Sequence, residues 1–477
     1  MIDSSQVLST TESVCPECLA VLPAERALRD DVVYLCKTCP EHGVFETAVW
    51  RGADSYAGWV KPKIPAYPER PGTAVTHGCP YDCGLCPDHR QQTCTALLEI
   101  TQRCNLRCPV CFADAAHQPP PDPDMATIEG WYRMLLASNG PCNVQLSGGE
   151  PTVRRDLPEI IRLGRELGFG FIQVNTNGLR LAEDPAYAAT LRAAGLSSVF
   201  LQFDGTEDVI YEALRGRPLL TQKIAAIEAC AANDIGVILV PVLKPGVNDH
   251  NVGDIIRFAL RYAPAVRGVH FQPISYFGRF DKLTAGRYPI EPADADRITI
   301  PDVIRAVVAQ SDGLVRQESF APPGCENALC SFHGNFVLMP DGRLIPWSKH
   351  EGQSCGCQPI SAAEGAAKAR AFVASNWIAL GDIVPVNGSG PSLGEWDVLL
   401  QRARTHTFFI SGMAFQDAWT LDLERLRDCC IHTVSPDGRL IPFCAYNLTD
   451  RNGRALYRGK VSTAEGAKDA EFLPVHE

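Results

Sequence analysis

Six apolar, strand-type runs separated by helical runs between residues 96 and 310 predict an α/β chain built on a partial (β/α)6 barrel. Two further observations shape the rest. Short glycine- or cysteine-bearing motifs close the first four runs, and paired cysteines gather before and after the barrel. The expected organisation is a four-cysteine module at 1–58, a linker with a cysteine loop at 59–95, the barrel at 96–310, and a cysteine-bearing domain with two hairpin repeats at 311–477.

The composition suits a globular protein with several cores: 477 residues, 45% hydrophobic and 21% charged. A net charge of −11 without long Lys/Arg runs argues against a nucleic-acid backbone as the main partner. No apolar run approaches the roughly 18 residues of a spanning helix; the longest strand-like run is Ile235 to Leu243. The N-terminal residues lack the charged and apolar regions of a signal peptide, so the expected location is cytoplasmic, with transient contact at a membrane surface left open. Twenty cysteines in such a chain point to metal rather than disulfides.

The first module carries two CxxC knuckles, Cys15/Cys18 and Cys36/Cys39. Four thiolates close a tetrahedron around one ion, which suits either a structural zinc or an electron-relaying, rubredoxin-like iron. The Pro-rich stretch Trp59 to Gly72 reads as a linker. Beyond it Cys79, Cys83 and Cys86 stand in a CxxxCxxC spacing, and Cys94 offers a fourth thiolate for a closed auxiliary 4Fe–4S cluster, with zinc as the competing reading.

The same spacing returns at Cys104, Cys108 and Cys111, directly after the apolar run ALLEI. Three thiolates on one loop hold three irons of a four-iron cluster and leave the fourth iron without a protein ligand. A zinc knuckle is the plainer alternative. Context separates the two loops, because only the second follows a strand and leads into LSGGEPT.

The barrel strands are expected near Ala96–Ile100, Asn143–Leu146, Phe171–Val174, Val199–Phe203, Gly236–Val242 and Gly268–Pro273, with helices such as DLPEIIRLGRELG and TQKIAAIEACAAND between them. Right-handed crossovers would place ligands at the C-terminal strand ends, where the motifs lie. Further on, PDGRLIP occurs at both Pro340–Pro346 and Pro436–Pro442, each copy reading as strand, Asp-Gly turn and strand. Cys325, Cys330, Cys444 and one of Cys429 and Cys430, with Cys430 preferred, are expected to ligate one more cluster. Cys355 and Cys357 are unassigned, and Cys142 and Cys230 read as core residues.

With the cysteine loop, Gly148-Gly149-Glu150-Pro151, NTNG and LQFDG in this order, the chain resembles a radical S-adenosylmethionine (radical SAM) enzyme. The resemblance implies that the methionine end of SAM chelates the open iron, that backbone groups of Gly148, Gly149, Glu150 and Pro151 receive its amino group, and that Asn177 contacts the methionine or ribose. Gln202 would stand where relatives have a small polar residue, Arg215 would grip the carboxylate, and Asp204 would either contact SAM or cap a turn.

Taken over nearly the whole chain, the arrangement is similar to the subfamily of archaeal tetraether synthase and its pterin-methylating relatives. That implies reductive cleavage of SAM, electrons from a flavodoxin- or ferredoxin-type donor, and C–C bond formation at an unactivated sp3 carbon of a lipid alkyl chain. The alternative is C-methylation of a pterin-like small molecule with a folate-type one-carbon donor; a non-catalytic iron–sulfur electron carrier is the reading from another class. A long apolar tunnel would favour the lipid, and a compact polar pocket the small molecule.

Overall fold

The computed structural model describes residues 6–115, 119–280, 292–347, 359–378 and 395–459. Cys355 and Cys357 lie outside these residues.

Four antiparallel strands, β1 (Gln6–Val14), β2 (Val21–Arg29), β3 (Val32–Cys39) and β4 (Gly43–Arg51), pair in chain order as one small sheet. Asp30 and Asp31 both take positive φ in the turn between β2 and β3, the backbone hand that a tight two-residue hairpin requires. The sheet docks on the C-terminal segment through buried polar contacts. Lys37 Nζ donates to Ser13 Oγ, Ala418 O and Trp419 O at 2.9, 2.8 and 3.0 Å, and Arg26 pairs with Asp422 at 2.6 Å.

The barrel strands follow: β5 (Thr95–Thr101), β6 (Asn143–Gly148), β7 (Ile172–Thr176), β8 (Ser198–Gln202), β9 (Gly236–Val240) and β10 (Val266–Pro273). Each pairs in parallel with its neighbours in chain order. Every expected strand is present, with shifts of one or two residues at some ends. Helices α1 (Met125–Asn139), α2 (Leu157–Glu166), α3 (Asp208–Arg215), α4 (Leu220–Ala232) and α5 (Val252–Arg261) alternate with them. The apolar faces of these helices, for example Ile160 and Ile161 of α2 and Ile255 and Ile256 of α5, bury into one core with the strands. Removing that apolar area from water is what holds the layers together.

The C-terminal segment supplies β11 (Ser331–Leu338), β12 (Leu344–Pro346), β13 (Thr407–Met413), β14 (Ile431–Val434) and β15 (Leu440–Pro442). All five join the barrel sheet, whose order is β12-β11-β13-β10-β9-β8-β7-β6-β5-β14-β15. β13 runs parallel to β10 and β14 parallel to β5, extending the six parallel strands at both edges. The two PDGRLIP hairpins therefore lie at opposite ends of the sheet rather than side by side. An open edge of unpaired backbone groups demands a partner, and each hairpin covers one. Among the described residues no helix is long and apolar enough to cross a membrane.

Candidate functional site

The Cys104–Cys111 loop leaves β5 at its C-terminal end and is pinned from several sides. Arg279 Nε donates to Cys108 O at 3.2 Å, Arg215 Nη1 to Val110 O at 3.1 Å, and Val110–Cys111 pairs with Arg279–Phe280 as a short antiparallel ladder. Leu106 N donates to Cys104 Sγ at 3.4 Å. Burial pushes the Cys104 thiol up to about 12 and raises Cys108 too, so both thiols stay protonated at neutral pH until a metal cation draws the protons off. Three soft sulfur donors on one loop, beside a cavity, fit an iron–sulfur cluster with one open iron.

The end of β6 lies against that loop. Gly149 N donates to Thr101 O and Glu150 N to Arg103 O, both at 2.8 Å. A Cβ on Gly148 would sit 2.0 Å from Thr101 O, and one on Gly149 would sit 2.2 Å from Arg103 O. Glycine is therefore required by the approach of two backbones, and Gly148 also has φ +129.

Glu150 and Asn177 hold the motifs together with their side chains. The buried Glu150 carboxylate accepts from Thr152 Oγ1 at 2.7 Å, Thr176 Oγ1 at 2.6 Å and Asn177 N at 2.7 Å. Asn177 Nδ2 donates to Asn105 Oδ1 at 2.7 Å, and its Oδ1 accepts from Leu179 N at 3.0 Å. Pro151 opens the short turn after Glu150. Arg215, expected to grip the SAM carboxylate, and Asp204, expected either to contact SAM or to cap a turn, form a buried bidentate ion pair at 2.7 and 2.6 Å. Nε and one N–H on each terminal nitrogen of Arg215 are thus engaged, although its guanidinium still borders the cavity.

Sequence reasoning missed Lys223. It sits on the buried face of α4 with Ala226, Ile227 and Cys230, and its Nζ donates to Asn177 O at 2.6 Å and to Gln202 Oε1 at 3.1 Å. Burial brings its ammonium down to about 8. The signal was present: a lysine at i of an i, i+3, i+4, i+7 apolar stripe needs a buried partner.

The other cysteine sets differ from the spacing-based expectation. In the N-terminal sheet the donors within 4.8 Å of one another are Cys15, Cys18, Cys39 and His42, without Cys36. Cys36 and Cys39 are three residues apart on β3, so they face opposite sides of the strand, and Cys36 Sγ instead receives Arg29 Nη2 at 3.7 Å. A Cys3His set fits structural zinc better than a rubredoxin iron.

Cys94 does not complete the Cys79–Cys86 loop; its thiol lies within 4.8 Å of Cys325 and Cys430. Cys79, Cys83 and Cys86 surround a void of about 10 Å³ together with His89, whose Nε2 lies 2.9 Å from Cys429 O of the C-terminal segment. Cys330 and Cys444 stand outside the Cys325/Cys430 set, Cys330 Sγ receiving Arg425 Nε at 3.5 Å and Cys444 Sγ receiving Gln416 N at 3.3 Å. Cys142 and Cys230 are buried in the main core.

One cavity of about 680 Å³ joins these centres. Cys104, Cys108 and Cys111 border it at the C-terminal end of the strands, and Cys94, Cys325 and Cys430 border it at the N-terminal end of β5. Seven residues of β5 set the two ends roughly 20 Å apart. Between them the wall carries Gln145, Asn175, His270, Gln272, His333 and Asn335. Burial holds both imidazoles at about 4, hence neutral. Phe200 and Trp377 stack at 6.0 Å on one side, and the buried Asn175 Oδ1 has no hydrogen-bond partner among the described residues.

Comparison with known proteins adds independent findings. Residues 98–259 match the radical SAM superfamily, and residues 7–51 match the HMPTM N-terminal zinc ribbon domain. The chain is 36% identical to 7,8-dihydro-6-hydroxymethylpterin dimethyltransferase of Methanocaldococcus jannaschii, over 92% of this chain and 94% of that protein. It is 32% identical to GTP 3′,8-cyclase of Heliobacterium modesticaldum over 40% of this chain and 58% of that protein. The solved structure of Streptococcus suis SuiB bound to S-adenosylmethionine aligns with 46% of this chain and 48% of its own at 15% identity, TM-score 0.35.

Proposed function

This chain belongs to the radical SAM superfamily, in the family of the pterin dimethyltransferase it matches end to end, and from that premise we propose that it C-methylates a pterin-like heteroaromatic at a carbon without an acidic proton. The end-to-end match to a pterin dimethyltransferase carries this reading, and the polar residues in the middle of an otherwise mostly apolar cavity support it. A lipid alkyl chain lying there would leave Asn175 Oδ1 without a partner, at roughly 1–3 kcal/mol for a buried polar group, and would set hydrocarbon against the polar groups of Gln272 and His333. A planar ring with N–H and C=O edges satisfies them, with Phe200 and Trp377 against its face. The tetraether-type lipid reading is correspondingly the weaker one.

When bound, the cluster and SAM supply a carbon-centred radical that removes hydrogen from unactivated carbon. The protein's own part is placement. Gly148 and Gly149 bring the β6 backbone against the cluster loop, Glu150 and Asn177 lock that junction, and the Asp204–Arg215 pair supports Val110. Gln202, Asn177 and Arg215 border the space left for SAM, with the remaining N–H groups of Arg215 available to its carboxylate. A low-potential flavodoxin- or ferredoxin-type donor and a folate-type one-carbon donor complete the proposal.

The test is anaerobic turnover of the reduced protein with SAM, a reduced pterin and a methylene-folate. Formation of 5′-deoxyadenosine together with a pterin heavier by one or two methylenes is expected. Formation of 5′-deoxyadenosine with modification of an alkyl lipid alone would overturn the pterin reading.

A further inference from the structure

We propose that Lys223 is a positioning residue for SAM: by occupying Gln202 Oε1 it fixes the Gln202 amide nitrogen toward the cavity, as a donor for the methionine carboxylate of SAM. This goes beyond the methylation chemistry and rests only on the placement of SAM beside Gln202 and Arg215.

The chemistry of the donor carries the first step. Lys223 is 0% exposed, and its Nζ donates to Asn177 O at 2.6 Å and to Gln202 Oε1 at 3.1 Å. Its ammonium, at about 8, is charged at neutral pH and has three N–H groups and no lone pair. The atom of Gln202 that faces it is therefore the oxygen, and the amide cannot turn over without setting N–H against N–H.

The other arm of the amide carries the second step. Gln202 ends β8 and borders the cavity together with Asn177, Arg215, Cys104 and Cys108, whereas Lys223 is not part of that wall. Among the described residues Gln202 Nε2 has no hydrogen-bond partner. An amide held by its oxygen from behind the wall offers its nitrogen to the space, which Arg215 borders with N–H groups to spare. Two such donors on one space suit a single carboxylate.

The cost of the lysine carries the third. It stands on the apolar stripe of α4 with Ala226, Ile227 and Cys230, and among the described residues it forms no ion pair. Taking an ammonium out of water without a counter-charge costs stability that a methionine of similar length would not. Its contribution lies in what it holds, the Asn177 carbonyl just past β7 and the Gln202 amide at the end of β8.

Equilibrium dialysis of SAM and of decarboxylated SAM against the reconstituted, unreduced holoprotein tests the assignment. Gln202→Glu keeps an oxygen for Lys223 but removes the donor. SAM should bind about tenfold more weakly or worse, as loss of a hydrogen bond to a charged group gives, with the decarboxylated analogue little changed. Lys223→Met should show the same carboxylate-specific loss at about three- to tenfold. In a Gln202→Ala background Lys223→Met should add nothing, since the lysine acts through the amide. Equal weakening of both ligands by Lys223→Met reduces the lysine to a structural role and overturns the proposal, as does an additive loss with Gln202→Ala. Should Lys223→Met fail to fold, Gln202→Glu still decides, because unimpaired SAM binding there overturns the donor. A wild type that binds both ligands equally overturns the placement of SAM itself, and none of these readings depends on the pterin assay.

Discussion

The two ends of the cavity are built in opposite ways. At the C-terminal end of β5, Cys104, Cys108 and Cys111 come from one loop, and the neighbouring motifs GGEP and NTNG clasp it within a few residues of each strand end. At the other end, Cys94, Cys325 and Cys430 come from three segments brought together only because β14 pairs with β5 and the 325 region packs beneath them. A site made of one turn is written in residue spacing; a site made by topology is written in the pairing of strands hundreds of residues apart.

The sharpest way to break this contrast is at Cys104. Cys104→Ala should abolish 5′-deoxyadenosine formation and lower iron content, while zinc at the N-terminal ribbon stays at one equivalent; full activity with unchanged iron would mean that the loop is not the radical site. Next in size is Glu150→Gln, which keeps the volume but weakens the junction between GGEP and NTNG. A fall of about 10–100-fold in SAM cleavage is expected, on the scale of other supporting-shell changes, with circular dichroism unchanged.

The N-terminal ribbon sharpens the same lesson at smaller scale. His42→Ala should release zinc, whereas Cys36→Ala should retain it, as followed with a chromogenic chelator; the reverse result would restore the two-CxxC reading. Smallest is Cys142→Ala, a buried core thiol that lies outside the metal set. It should cost about 1 kcal/mol in denaturant unfolding, as the loss of a small buried group does, and leave metal content alone.

The six barrel strands and the meeting of GGEP and NTNG with the Cys104 loop were legible because apolar periodicity and strand-end motifs are local. Donor identity failed where strand geometry intervened: CxxC normally marks a knuckle, but Cys36 lies inside β3, and the alternation of a strand turns it away from Cys39 while His42, just past the strand, takes its place. The hairpin repeats were visible, yet nothing within them says that one docks beside β5 and the other at the far edge beyond β13. That placement is what gave Cys94 to Cys430 instead of to Cys79. Lys223 and the Asp204–Arg215 pair were visible as residues but not as partners, since burial of a charge is settled only when the helices pack.

Anomalous diffraction from the intact, anaerobically prepared protein at the iron and zinc edges tests the regrouping most directly. The expected map has an iron cluster on Cys104, Cys108 and Cys111, a single ion on Cys15, Cys18, Cys39 and His42, and metal on Cys94, Cys325 and Cys430 apart from Cys79, Cys83 and Cys86. A map in which Cys94 shares a cluster with Cys79, Cys83 and Cys86 would contradict it.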